Sequence, residues 1–187
     1  SVCYYNMDVM KEAEVDPAEI VTWDDYIEAG KKVLEKTGKP MCAAETADLF
    51  LPQLMLLEKG VQYVDESGQP NINTKEHAEV IEYIRDMIDS GVCEIAPGGG
   101  YHMEEWYGHL NGGEVASVAL PLWYMGRFLD YCPDLEGKIG IYEIPVWNEG
   151  DTREVLQGGT GTSVIKFTEQ ADLAKEFLAF CKLSEDG

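Results

Sequence analysis

At 187 residues, with 45% hydrophobic and 10% aromatic side chains, the chain is long enough to bury a real core and too apolar to be a disordered segment. Fourteen Lys and Arg stand against 35 Asp and Glu, a net charge of −21, which argues against nucleic acid and anionic membrane as partners, since both need a basic surface. No apolar run approaches the roughly 20 residues needed to cross a bilayer, and the opening SVCYYNMDVM does not read as a signal peptide. The first residue is serine, not methionine, so processing or origin in a longer chain is expected.

In chain order, Asn6 is positioned to cap a short helix carrying Met7, Val9 and Met10, which Asp16-Pro17 breaks. Thr22-Trp23-Asp24-Asp25 has the form of a capping box, and Tyr26, Ala29, Val33 and Leu34 follow at helical spacing up to Gly38, a left-handed cap. Residues 39–44 read as a short buried strand. After Thr46 comes an apolar helix, LFLPQLMLLEKG, starting near Phe50 so that Pro52 falls in its first turn. Residues 65–73 are rich in turn formers. Thr74 then caps a helix with Ala78, Ile81, Ile84 and Ile88 as its apolar positions, ended by Gly91.

A PGGG loop at 97–100 precedes a helix from about His102 to Leu110. Asn111-Gly-Gly leads into an apolar run, 115–120, which Pro121 ends because it lacks an N–H for the ladder. Residues 122–131 read as helix, 138–144 as an alternating strand and 147–153 as a polar loop. Gly158-Gly159-Thr160-Gly161 leads into a predicted strand at 162–165, and Thr168 is expected to cap the last helix. Alternation of this kind predicts an α/β fold, with short strands in a mixed or mostly parallel sheet flanked by helices.

Little in the chain looks like catalytic equipment. The five cysteines form no C-x-x-C pair and have no metal-ligand spacing with the three histidines, so no metal site, cofactor or catalytic residue is assigned. Glu104-Glu105 and Glu45 with Asp48 are the carboxylate pairs a glycoside-active enzyme would use, but among 35 acids such pairs arise by chance. The glycines at 158–161 lack the phosphate-loop spacing and precede a strand instead of a helix.

The aromatics point elsewhere. Tyr101, Trp106, Tyr107, Trp123, Tyr124 and Trp147 fall near loops and the ends of elements. Any one of them is ordinarily core; together they suit a concave site in which flat rings stack on sugar faces and nearby carboxylates take the hydroxyls. Trp123 and Tyr124 follow the end of a buried strand, where open α/β sheets bind ligands.

Segment order carries a resemblance. YYNMDVMKEAEVDPAEIVTWDDYIEAGKKV, NGGEVASVALPLWYMG, GKIGIYEIPVW and GGTGTSVIKFTEQADLAKEFLAFC resemble, in order and spacing, the extracellular solute-binding proteins of ABC importers. The likeness is to the sugar-binding, maltose-binding-protein-like branch and covers nearly the whole chain. It implies a type II periplasmic-binding-protein lobe and a non-catalytic sugar-binding function. Implied partners are a small carbohydrate, the membrane permease and a missing N-terminal lobe of the same protein. The implied location is extracellular: cell-surface and lipid-anchored, or periplasmic.

The resemblance divides the chain into a C-terminal-lobe-like domain, 1–138, and a returning hinge strand with an N-terminal-lobe-like segment, 139–187. It matches Trp123 to the family's sugar-stacking tryptophan, although Leu122 separates it from Pro121 where relatives have the two adjacent. Tyr124, Glu45, Asp48, Tyr101, Met103, Gly159 and Thr160 match further ligand-contact positions. Two rival readings remain open: a glycoside-active enzyme using Glu104 or Glu105, and a binding protein for peptides, polyamines or another non-sugar solute.

Overall fold

Asn6 closes the first strand and opens the first helix: in this computed structural model its Oδ1 accepts from the N–H groups of Asp8 and Val9. The structure describes residues 1–159 and 161–184. Strand β1 (Val2–Asn6) therefore runs directly into helix α1 (Met7–Glu12). Helix α2 (Trp23–Thr37) starts on the predicted capping box, with Thr22 Oγ1 accepting from Asp25 N–H and Asp25 reaching back to Thr22 N–H. It ends at Gly38, whose φ of +73° is the left-handed cap expected there. Strand β2 (Cys42–Ala44) and helices α3 (Phe50–Glu58) and α4 (Lys75–Asp89) follow. Then come β3 (Cys93–Ile95), α5 (Glu104–Asn111), β4 (Ser117–Leu120), α6 (Met125–Tyr131), β5 (Ile139–Tyr142) and α7 (Ala171–Leu183).

The strands make two small sheets of opposite kind, so the mixed arrangement holds. β1 lies between β4 and β5, antiparallel to both, while β2 and β3 form a separate parallel pair. β1 is buried on both faces. Cys3 and Tyr5 enter one core layer with Trp23, Tyr26, Leu54 and Met87; Tyr4 enters a second, aromatic layer with Tyr101, Trp106, Tyr124 and Phe128. Period-two alternation thus feeds two cores from one strand.

Three expectations need correcting. On α4 the buried stripe is His77, Val80, Ile84 and Met87, while Ala78 is exposed and Ile81 is 56% exposed. The sequence offers overlapping apolar stripes, and packing against α3 selects the one rotated by a residue. Residues 162–165 are not a strand, because none of the described residues gives them a ladder partner. Thr168 does not cap α7 directly: its Oγ1 accepts from Gln170 N–H, and the helix begins at Ala171 with no side-chain cap.

The chain separates into two compact units, Ser1–Gln157 and Gly158–Gly187. The first holds both sheets and the core layers. Of the second, the described part is irregular up to α7, whose Leu173, Phe177 and Phe180 are exposed. No helix among the described residues is long and apolar enough to cross a membrane.

Candidate functional site

β4 delivers the site. Its residues are buried throughout, and Pro121 then ends the ladder and turns the chain into a short 3-10 turn, Leu122–Tyr124. The phenol of Tyr4, from the neighbouring strand, donates towards the carbonyls of Pro121 (3.2 Å) and Leu122 (3.0 Å) and so fixes the turn. Successive residues of a 3-10 turn point about a third of a revolution apart. Tyr124 accordingly points inward, 0% exposed, and Trp123 outward, 51% exposed.

Tyr124 is the pillar beneath. Its hydroxyl accepts from Trp106 Nε1 at 2.9 Å and donates to the Tyr101 carbonyl at 2.7 Å. Burial holds its phenol well above the usual range, so it stays a neutral donor. Tyr101 is also buried; its hydroxyl donates to the Ala43 carbonyl at 2.6 Å and ties the loop after β3 to β2. The rings of Tyr101 and Tyr124 therefore lie under the surface.

The loops after β2 and β3 meet beside this pillar. Gly99, at φ +82°, presents its carbonyl to the N–H groups of Thr46 (2.8 Å) and Ala47 (2.9 Å). A Cβ there would stand 2.9 Å from Thr46 Oγ1, so both the turn and the close approach require glycine. Half-buried Glu45 spans the junction, accepting from Tyr101 N–H at 3.0 Å and, more weakly, from Phe50 N–H at 3.4 Å. Burial raises its carboxyl pKa, with the charge of Asp48 adding to that and the two backbone N–H groups opposing it. Asp48 is exposed, with its Oδ1 accepting from Leu49 N–H.

On this base sits an accessible aromatic group. The Trp123 and His102 rings are nearly parallel, 13° between planes with centroids 5.8 Å apart. Phe50 approaches Trp123 at 6.2 Å and His102 at 6.4 Å. His102 Nδ1 lies 3.3 Å from the Tyr107 hydroxyl. Burial, followed by the positive charge of Arg127, lowers the His102 pKa, and Asp48 opposes them, so the surroundings favour the neutral ring. Met103, at 40% exposure, begins α5 next to this group.

The structure thus gathers Trp123, Tyr124, Glu45, Asp48, Tyr101 and Met103 around one face. Gly159 is exposed in the second unit, and Thr160 lies outside the described residues. His102 is the member that sequence reasoning missed. Its position directly after Tyr101 was the available signal. In the sequence Phe50 stands out only as the start of an apolar helix. Glu104 and Glu105 are exposed neighbours in the first turn of α5, where carboxylates complement the helix N-terminus and do not face one another across a cleft.

An open ledge of exposed rings edged by carboxylates can stack on the apolar face of a pyranose or furanose and accept from its hydroxyls. The model of the bacterial extracellular solute-binding protein family matches residues 1–186. An arabinooligosaccharide-binding protein of Bacillus subtilis is 49% identical over 187 residues, covering 100% of this chain and 43% of the relative. One of the same name from Halalkalibacterium halodurans is also 49% identical, covering 99% of this chain and 42% of its own. Among solved structures, an ABC-transporter-associated binding protein from B. animalis subsp. lactis, in complex with β-1,6-galactobiose, superposes with a TM-score of 0.74. That match has 20% identity and covers 98% of this chain and 46% of that one, so it bears on the fold alone. The chain spans less than half the length of the relatives it matches.

Proposed function

This chain belongs to the bacterial extracellular solute-binding protein family, and on that premise we propose that the intact protein is the non-catalytic, sugar-binding component of an ABC importer. The ligand class we propose is an arabinose-containing oligosaccharide. Identity of 49% to two arabinooligosaccharide-binding proteins supports it, and an acidic, ring-lined ledge suits a neutral polyol better than an anionic solute.

One observation carries the reading: Trp123 stands half out of the surface beside His102 and Phe50, over a buried Tyr124–Tyr101 support. In this proposal Trp123 stacks on a sugar ring, Glu45 and Asp48 accept from hydroxyls, and Met103 packs against the ring edge. Tyr101 and Tyr124 position these groups from below. Gly159 and Thr160 are assigned by their match to the family's ligand-facing turn. Residues 1–138 are assigned to a C-terminal-lobe-like domain and 139–187 to the returning segment. A second lobe, absent from this chain, would close over the ligand, and the closed form would be read by the permease outside the membrane, from a lipid-anchored or periplasmic position.

Titration calorimetry on the intact protein tests this. Arabino-oligosaccharides should bind with micromolar or tighter affinity, while peptides and polyamines give no heat. Tight binding of a peptide or polyamine, with no response to any sugar, would overturn it.

A further inference from the structure

Cys42 and Cys93 stand opposite one another in the parallel pair β2–β3. In-register partners on adjacent strands lie about 4.8 Å apart, within the roughly 4.4–6.8 Å between Cα atoms that disulfides span. Both side chains point to the same side of the pair. Cys42 and Cys93 enter one core layer, while Ala43, next along β2, enters the other. Both are buried. The adjacent Cys93 side chain and then burial hold the Cys42 thiol well above its usual range, and the Cys93 thiol donates towards the Glu94 carbonyl at 3.4 Å.

Among the described residues the other cysteines lack such a partner. Cys3 faces Ala119 and Tyr142 in its ladders. The Cys132 thiol points at the Tyr107 carbonyl, and Cys181 sits on α7.

We propose that Cys42 and Cys93 form a cross-strand disulfide site, closed during folding by exchange with a small-molecule disulfide such as oxidised glutathione. One protein thiolate attacks a sulfur of the small disulfide, forming a mixed disulfide and expelling one thiolate. The second protein thiolate then attacks the protein sulfur of that mixed disulfide and expels the other half. Two protein thiols are oxidised, one small disulfide is reduced to two thiols, and the two protons pass to the departing thiolates. The exchange belongs to folding, because in the folded state both thiols are sealed from solvent.

The bond would close the loop that carries α3 and α4, removing unfolded-state entropy. It would also tie together two three-residue strands immediately beneath the ligand face, where β2 runs on into Glu45 and β3 into the Gly99–Tyr101 loop.

Refolding this chain with oxidised or reduced glutathione, alkylating it under denaturing conditions and mapping the peptides tests the site. The expected result is a Cys42–Cys93 linkage with Cys3, Cys132 and Cys181 alkylated. The thermal midpoint of the oxidised form should lie roughly 5–15 °C above the reduced form, and dithiothreitol should abolish that difference. Cys42→Ala and Cys93→Ala should each remove the difference, and Cys3→Ala should keep it. Five alkylated cysteines after oxidative refolding, or a Cys3–Cys42 linkage in the wild-type map, would overturn the proposal. Because the map is read on the wild type, a variant that fails to fold does not affect the outcome.

Discussion

Trp123 and Tyr124 are consecutive aromatic residues with opposite fates, and the backbone decides which is which. Pro121 forces the chain off the sheet, the 3-10 turn rotates each residue away from the last, and the Tyr4 hydroxyl locks the turn. Tyr124 then finds two partners for its hydroxyl inside, Trp106 and the Tyr101 carbonyl. Removing that hydroxyl leaves a buried indole N–H and a buried carbonyl short of a partner, which costs about 1–3 kcal/mol. Tyr124→Phe should therefore lower stability in urea unfolding by that amount, and should affect any ligand only through the lost support. The sequence alone marks both residues as candidates, yet it does not say which of them faces out. That depends on a turn held by a hydroxyl from a strand more than a hundred residues earlier. His102 was missed for a related reason: an exposed histidine at a loop's end reads as an ordinary polar residue until a loop 21 positions later brings Trp123 against it.

At the level of elements, the caps were legible because they are local. Asn6, Thr22 with Asp25, Gly38 and Thr74 all do what their spacing implies. Thr22→Ala should remove the Oγ1 half of the α2 capping box while the backbone N–H of residue 22 still donates to Asp25, and cost about 0.5–2 kcal/mol, read as a lower thermal midpoint. What the sequence did not settle was the rotation of α4 and the fate of 162–165, since both depend on a partner elsewhere in space.

Helix α3 adds a pH dependence. Its last residue, Glu58, accepts from Trp23 Nε1 at 2.7 Å, while its other oxygen is buried without a partner. Burial pushes its carboxyl up to about 8 from an ordinary 4.5, with Asp151 adding to the rise and the Trp23 bond and Arg153 opposing it. The folded state therefore holds a proton that the unfolded chain releases. Stability from this group is complete below about pH 4.5 and is lost as pH rises towards about 8. The thermal midpoint of the wild type should fall between pH 5 and pH 9, roughly the window those two values define. Glu58→Gln, which cannot ionise, should flatten that fall; an unchanged pH profile in the variant would assign the effect to other groups.

For the molecule as a whole, the question is how much of a binding site one chain of this length can supply. It covers 43% of the Bacillus subtilis relative and carries its aromatic ledge on the first of its two units. A ligand held at about 1 μM by two lobes gains about 8.2 kcal/mol, and half of that leaves roughly millimolar affinity. The single ledge would also meet the full association cost alone. This chain by itself should bind arabino-oligosaccharides no more tightly than about 1 mM by chemical-shift titration. Submillimolar binding would mean that the ledge is a complete site and that closure is dispensable. Fold class and family were legible at this scale, because order and spacing of segments survive where single residues do not. The −21 charge was informative only about partners.

Sugar stacking on Trp123 is tested by intrinsic tryptophan fluorescence of the intact protein titrated with arabino-oligosaccharides, repeated with Trp123→Ala. Burying an indole against a sugar is worth about 1.5–3 kcal/mol. The wild type should therefore give a saturable change, and the variant should bind roughly ten- to a hundred-fold more weakly with most of the signal gone. An unchanged affinity in Trp123→Ala, or no response to any oligosaccharide in the wild type, would contradict the account and leave Trp123 as an exposed surface residue with no part in binding.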